Sequence, residues 1–314
     1  LAHSMAGVRF ARTLLLTDAV PSGIDVPSGI TIAPIAPIAS RDAYSQLVLK
    51  SLAPHVETSH VLLVQWDGFV VHPEAWDPRF LDCDYLGARW FWHKDGLTVG
   101  NGGFSLRSRR LLEALRDPRI VPTEAEDVTI GRTYRTLLER DHAIRFATES
   151  LADQFAFEAA YPIGLPFGFH GLYNFCRVVP EDELAGLVVH FSPRIARSPQ
   201  LAQLGRNCAS LGQWRAAAAI FQRILDEDPG NGMAAAGLAT ARSGMASAPA
   251  AGRNDPCPCG SGMRYKNGHG ALAASTSPSH VAPLPVPPPA ASVDLRVQQA
   301  IALHQQGDTE TAER

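Results

Sequence analysis

The sequence predicts an α/β domain followed by a smaller all-helical region, and three observations carry that expectation. Arg12–Thr17 (RTLLLT) and His60–Gln65 (HVLLVQ) are short apolar runs ending in polar residues, the pattern of strands buried on both faces of a parallel sheet. Between them, Ser40–Ala53 places Tyr44, Leu47, Val48 and Leu52 at helical spacing behind a Ser-x-Asp start that suits an N-cap. Beyond about residue 198, apolar and small residues recur at helical spacing, broken by regular turns. Strand, helix and strand in succession make a right-handed βαβ crossover the default topology.

The remaining elements follow in order. Leu106–Arg116, Glu126–Asp141 and Ser150–Ala160 read as helices, separated by Pro118 and by the short apolar run Ala143–Ala147. In 198–241, Leu201, Leu204-Gly205, Cys208, Gly212, Trp214, Ala217, Phe221 and Pro229 fall on the 34-residue tetratricopeptide pattern of two packed antiparallel helices. Met233–Ala241 begins another first helix and stops in Ser243–Ala251. Residues 271–292 are a Pro/Ala-rich linker, and 293–314 restart the repeat pattern around Gly307 and Ala312. One repeat cannot bury a continuous core alone. Together with Leu1 in first place, this predicts a fragment open at both ends.

Composition narrows the function. A chain of 314 residues, 46% hydrophobic and 19% charged, holds a large core. A net charge of −3 supplies no basic footprint, so nucleic acid is not an expected partner. The longest apolar runs, such as Leu14–Leu16 and Val61–Val64, fall far short of the roughly 20 residues of a membrane helix. No signal peptide is recognisable. Five cysteines, an odd number, point to reduced thiols and a cytoplasmic setting.

The residues that can carry chemistry concentrate between Gln65 and Arg107. Asp67 directly follows a strand, where open α/β sheets bind ligands; it serves equally as a cap for the turn at Gly68. Asp82-x-Asp84 is a rival carboxylate pair for a hard divalent ion. Trp66, Trp76, Trp90 and Trp92 suit either an aromatic platform for sugars and bases or a hydrophobic layer under a sheet. Asn101-Gly102-Gly103-Phe104-Ser105 lets backbone approach a ligand closely. Glu126 and Asp127 stand near a helix start, where acids complement the dipole or, alternatively, deprotonate a hydroxyl. His170 lies between glycines in a loop, free to meet a phosphate or metal or to serve no ligand.

The succession QWDGF, DYLGARW, VGNGGFSLRS, EAEDVTIGR and GFHG resembles a bacterial glycosyltransferase-like domain related to the nucleotide-sugar transferases of the GT-A fold, over roughly residues 10 to 195. The resemblance implies a GT-A-like (Rossmann-like) mixed sheet in a domain spanning 1–195. It implies Mn²⁺ or Mg²⁺ at Asp67 and His170, with Asp84 as a further candidate ligand. It implies a substrate segment of Gln65, Trp66, Asn101, Gly102, Gly103 and Ser105, with Asp127 or Glu126 as the base. Gln65 stands where the family carries a metal carboxylate, and because the chain starts just before RTLLLT, the resemblance implies an N-terminally truncated domain that lacks the family's first strand, the one with nucleobase contacts.

Residues 252–270, with Cys257-Pro-Cys259-Gly-Ser-Gly and Tyr265-Lys266, resemble the SEC-C motif, a small zinc-knuckle-like module. Zn²⁺ is then implied at Cys257, Cys259 and His269, with Gly268 at the place of the third ligand. The combined expectation is a cytoplasmic transferase that moves a sugar from a nucleotide-sugar donor to a protein or glycan acceptor, with repeats that bind protein partners. The alternative is a non-catalytic interaction scaffold around a degenerate transferase domain.

Overall fold

The structure is a computed structural model and describes residues 1–20, 25–159, 164–247 and 264. The chain forms two compact units, divided between Asn174 and Phe175. In the first unit the strands are β1 Thr13–Thr17, β2 Ile30–Pro34, β3 His60–Val64, β4 Gly68–Val70, β5 Tyr85–Gly87, β6 Phe104–Ser108, β7 Ala156–Phe157 and β8 Gly168–His170. The helices used below are α1 Arg41–Gln46, α2 Arg109–Ala114, α3 Arg135–His142 and α4 Glu149–Phe155. They make a mixed α/β arrangement with three small sheets, ordered β1-β2, β3-β6-β5 and β4-β8-β7.

The topology departs from the simple crossover read in the sequence. β1 pairs in parallel with β2, from Thr13 opposite Ile30 to Thr17 opposite Pro34. β3 instead runs antiparallel to β6, with His60 opposite Ser108 and Val64 opposite Phe104. Although β3 is continuously apolar, it is an edge strand whose residues are only half-buried, whereas all five residues of the central β6 are buried. The helix expected from Leu106 begins only at Arg109, capped by the Ser108 hydroxyl, which accepts from Leu111 N at 3.0 Å. Ser105, Arg107 and Ser108 disguise β6 as a polar segment, and each finds partners inside the domain, although the buried Arg107 Nη1 is left without an acceptor among the described residues. Ser105 donates to the Gly102 carbonyl, Arg107 to Glu126, and Ser108 to Asp84.

Other expectations were closer. Ser40 caps α1 by accepting from Ala43 N, and the helix runs on as a π turn through Leu47–Ser51. The long helix read over 126–141 is broken. Glu126–Val128 passes into a π turn at Thr129–Thr133, and α3 restarts at Arg135. The helix read over 150–160 ends at Phe155, where the chain turns into β7.

Among the described residues, two apolar clusters pack this unit. One gathers Leu49, Leu111, Leu115, Ile130 and Leu138; the other gathers Phe80, Phe104, Phe155 and Phe167 with Leu86 and Leu106. Phe155 sits at its centre, with ring centroids 5.2 Å from both Phe80 and Phe104.

The second unit begins at Phe175, ahead of the boundary expected at 195, because the segment from 181 onward packs on the helical pair. In that unit α5 is Glu181–Leu187, α6 Pro199–Ser210, α7 Trp214–Glu227 and α8 Gly232–Ser247. Glu181 accepts from Arg215 N at 2.8 Å, and Arg223 donates to the Phe191 carbonyl. Gly212, with φ +73°, makes the turn between α6 and α7. A Cβ on Gly205 or Gly237 would stand within 2.8 Å of the Phe221 ring, and one on Gly244 within 2.3 Å of Trp214. α7 and α8 therefore pack closely and antiparallel. α8 is described as far as Ser247, within the Ser243–Ala251 stretch where the sequence places its stop. The linker, the SEC-C segment and the second repeat start lie outside the described residues.

Phe155→Ala should cost about 3–5 kcal/mol, the usual range for emptying a buried aromatic site. Urea unfolding should show a lowered midpoint with an unchanged slope.

Candidate active site

The site forms where β3 ends and the glycine segment leads into β6. Gln65 N donates to the Gly103 carbonyl at 2.7 Å, which closes the β3–β6 pair at its last rung. The Gln65 amide then reaches both ways: Nε2 donates to the Tyr44 hydroxyl at 2.9 Å, and Oε1 lies 3.3 Å from His170 Nε2. Asp67, buried, turns toward β8. Its Oδ1 is 3.2 Å from His170 Nε2, and Oδ2 accepts from Leu172 N.

His170 is flanked on both ring nitrogens by carboxylates, since Glu158 Oε1 lies 3.0 Å from Nδ1. Burial alone would lower the imidazole's pKa, but Asp67 and Glu158 outweigh it and hold His170 well above the ordinary value. Asn174 Nδ2 donates to the carbonyls of both Glu158 and His170 at 2.8 Å, which clamps the two segments together. The Tyr173 hydroxyl donates to Glu158.

On the other side of the glycines stands a buried ion pair. Arg107, with no solvent exposure, donates from Nη2 to Glu126 Oε1 and Oε2 at 3.0 and 3.1 Å, and from Nε to Ser105 Oγ at 3.0 Å. Its guanidinium also lies 5.3 Å from the Tyr85 ring centroid. Asp127 accepts from Val128 N at 2.8 Å and from Gly102 N at 3.3 Å. Burial, then the neighbouring Glu126, push the Asp127 carboxyl up to about 7.

The glycines are required by contact. A Cβ on Gly102 would stand 2.3 Å from Glu126 Oε1, and one on Gly103 2.0 Å from His170 Nε2. Asp127 and His170 thus flank one two-residue stretch of backbone. Asn101 contributes Oδ1 as acceptor to Gly103 N, and its amide nitrogen lies 3.3 Å from His170 Nδ1.

Gln65, Asp67, Asn101, Gly102, Gly103, Ser105, Glu126, Asp127 and His170 therefore converge. Ser105 is fully buried, so it positions the glycine carbonyl and Arg107 and does not face a ligand. Trp66 is half-buried beside Asp67 in sequence. Asp84 is not brought to the cluster. Its carboxylate accepts from Ser108 Oγ, Arg110 and Arg145 N, at the β3–β6 end marked by His60 and Ser108. That knot is roughly 17 Å along the strand from the Gln65 end, and its acceptors are already taken by partners that a metal would have to displace. Cys257, Cys259 and His269 lie outside the described residues.

Sequence reasoning missed Glu158, Arg107 and Tyr44. Glu158 carried a signal, as the single acid in the otherwise apolar FAFEAAY (155–161). Arg107 carried none, because its role depends on the strand pairing that buries it.

The donor set does not form a ready metal centre. The carboxylates on both ring nitrogens favour the protonated imidazole, so a cation could bind His170 only by displacing its proton and one of these contacts. Among the described residues no group of three metal-ligating side chains is set up to hold one.

These features define a mixed α/β domain with a carboxylate–imidazolium–carboxylate group beside a buried ion pair and an unusually basic aspartate. Residues 29–170 match the model of a family described as a protein of unknown function (DUF5672), and residues 253–270 match the SEC-C motif. No curated protein and no solved structure matches the chain.

The raised carboxyl of Asp127 has a sign for stability. The unfolded chain gives up this proton near its ordinary value of 3.8 and the folded chain near 7, so folding loses stability as pH rises between them. Asp127→Asn should therefore raise Tm at pH 8, with the gain shrinking toward pH 4; thermal melts across that range measure it.

Proposed function

We propose that the first unit is a GT-A-like transferase domain that moves a sugar from a nucleotide-sugar donor to a hydroxyl of a protein or glycan. The observation that carries this reading is Asp127, a carboxyl titrating near neutrality and held across Gly102–Gly103 from the imidazolium of His170. A base of that pKa is well matched to accepting a hydroxyl proton at pH 7 to 8. In the proposed step the acceptor oxygen bonds to the anomeric carbon while the bond from that carbon to the diphosphate oxygen breaks. Asp127 receives the proton, the diphosphate leaves with the electron pair, and His170 faces the charge that develops there.

Charge balance bears on the donor. Arg107 neutralises Glu126, while one imidazolium serves both Asp67 and Glu158, so the cluster is net negative with or without the proton on Asp127. A nucleoside diphosphate enters such a site only with its own counter-cation, as a Mg²⁺ or Mn²⁺ complex. The helices of 198–241, as a tetratricopeptide-like hairpin, and the SEC-C segment are proposed as protein-binding parts, with Zn²⁺ on Cys257, Cys259 and His269. A cytoplasmic setting belongs to the same reading. No helix among the described residues is long and apolar enough to cross a membrane.

A second reading is favoured by the engagement of both His170 nitrogens: a scaffold in which the transferase domain has lost its metal chemistry. Calorimetry with uridine, guanosine and thymidine diphosphates, with and without Mn²⁺, separates the two. The transferase reading expects selective binding that requires the cation and at least a tenfold loss in Asp67→Ala; no heat with any of them establishes the scaffold. Zinc retained by the whole chain after dialysis should disappear in the Cys257→Ser, Cys259→Ser double variant, as read by atomic absorption.

A further inference from the structure

Three of the four tryptophans of the central segment are sorted by the structure. Trp76 packs into the core with its ring centroid 5.4 Å from Phe80 and 5.2 Å from Phe167. Trp90 is buried and wedged against the backbone, since a Cβ on Gly100 would meet its ring at 2.1 Å. Trp92, in contrast, is 52% exposed, and its neighbour Phe91 is 44% exposed. Their rings meet edge to face with centroids 5.4 Å apart.

The segment carrying them is an anchored hairpin. At its base Gly100 N and Asn101 N both point to the Ala88 carbonyl, and Trp90 N donates to the Thr98 carbonyl at 2.7 Å. At its tip Arg132 donates to the Leu97 carbonyl at 2.9 Å and to the Asp95 carboxylate at 2.7 Å. The returning strand of this hairpin is the one that supplies Asn101, Gly102 and Gly103. Phe91 and Trp92 accordingly lie roughly 13–17 Å along the hairpin from Asn101, a span that a short oligosaccharide can bridge.

We propose that Phe91 and Trp92 form a carbohydrate-binding subsite that stacks a sugar ring of the acceptor beside the cluster. This inference rests on the reading of that cluster as a sugar-transfer site. Three features favour a sugar over a protein surface. The indole N–H is already given to His93 Nε2 at 3.1 Å, so the ring offers its face. The rim carries the exposed Lys94 and Asp95; Lys94 gives one hydrogen to the Phe91 carbonyl and Asp95 accepts from Arg132 and Leu97 N, and their remaining hydrogens and lone pairs suit hydroxyls. The exposed aromatic area, roughly 200 Å², matches a sugar ring and falls well below the ~1,000 Å² of a stable protein interface.

The test measures binding of the whole chain to a panel of chito-, cello-, malto-, manno- and xylotetraose by indole fluorescence and calorimetry. Each variant is also titrated with the three nucleoside diphosphates and Mn²⁺. The proposal expects binding to at least one tetraose, weakened about tenfold by Trp92→Ala and largely kept by Trp92→Phe. Diphosphate affinity and Tm should stay unchanged in both variants. Donor binding with no tetraose bound, or with tetraose binding indifferent to Trp92→Ala, overturns this subsite and leaves the transferase reading intact. A protein partner captured through Trp92, with no tetraose bound, overturns it as well. Absence of donor binding removes the transferase reading itself, and the subsite with it.

Discussion

A guanidinium with no access to solvent has to be neutralised where it stands, and the arrangement around Arg107 follows from that need. Arg107 lies in the central strand of its sheet, so its charge cannot snorkel outward. Glu126 must come to it, which draws the turn after Ala125 against the sheet and sets Asp127 against the Gly102 amide. The Gly102 carbonyl and the Ser105 hydroxyl are drawn into the same network. The guanidinium is spent mainly on Glu126, so desolvation and the Glu126 charge outweigh it at the half-buried Asp127 and hold the proton there up to about 7.

The opposite wall of the site is built on a different principle. There one histidine is shared by two acids from distant parts of the chain, one following β3 and one following β7. Such a group is strong only while both acids are held in place, and the clamp by Asn174 and the cap on Leu172 do that work. The glycines between the two walls keep the carboxyl of Asp127 and the ring of His170 on adjacent residues of one strand entry. A side chain at either position would push the walls apart.

How much of this was legible in the sequence can be argued from particular residues. β1, β3 and the start of α1 were readable because apolar runs and a serine cap are local signals. Their pairing was not, because the partner of β1 is a proline-flanked ITIAP stretch and the partner of β3 is a strand rich in polar side chains. β6 shows the general difficulty: a buried arginine and two buried serines read as surface until the acceptors that satisfy them are known. Asp67, Asp127 and His170 were legible as chemistry, since each follows or precedes a structural break. Glu158 was visible only as an acid out of place, and Asp84, the more conspicuous motif residue, is spent on joining Ser108, Arg110 and Arg145.

Arg132 grips the tip of the aromatic hairpin, yet it belongs to the π turn that continues directly from Asp127. A single side chain thus couples a surface loop to the segment that holds the titrating carboxyl. Thermodynamic reciprocity gives this a definite meaning. Whatever free energy a molecule bound at the tip spends in shifting the proton affinity of Asp127, protonation of Asp127 returns in full to the affinity at the tip.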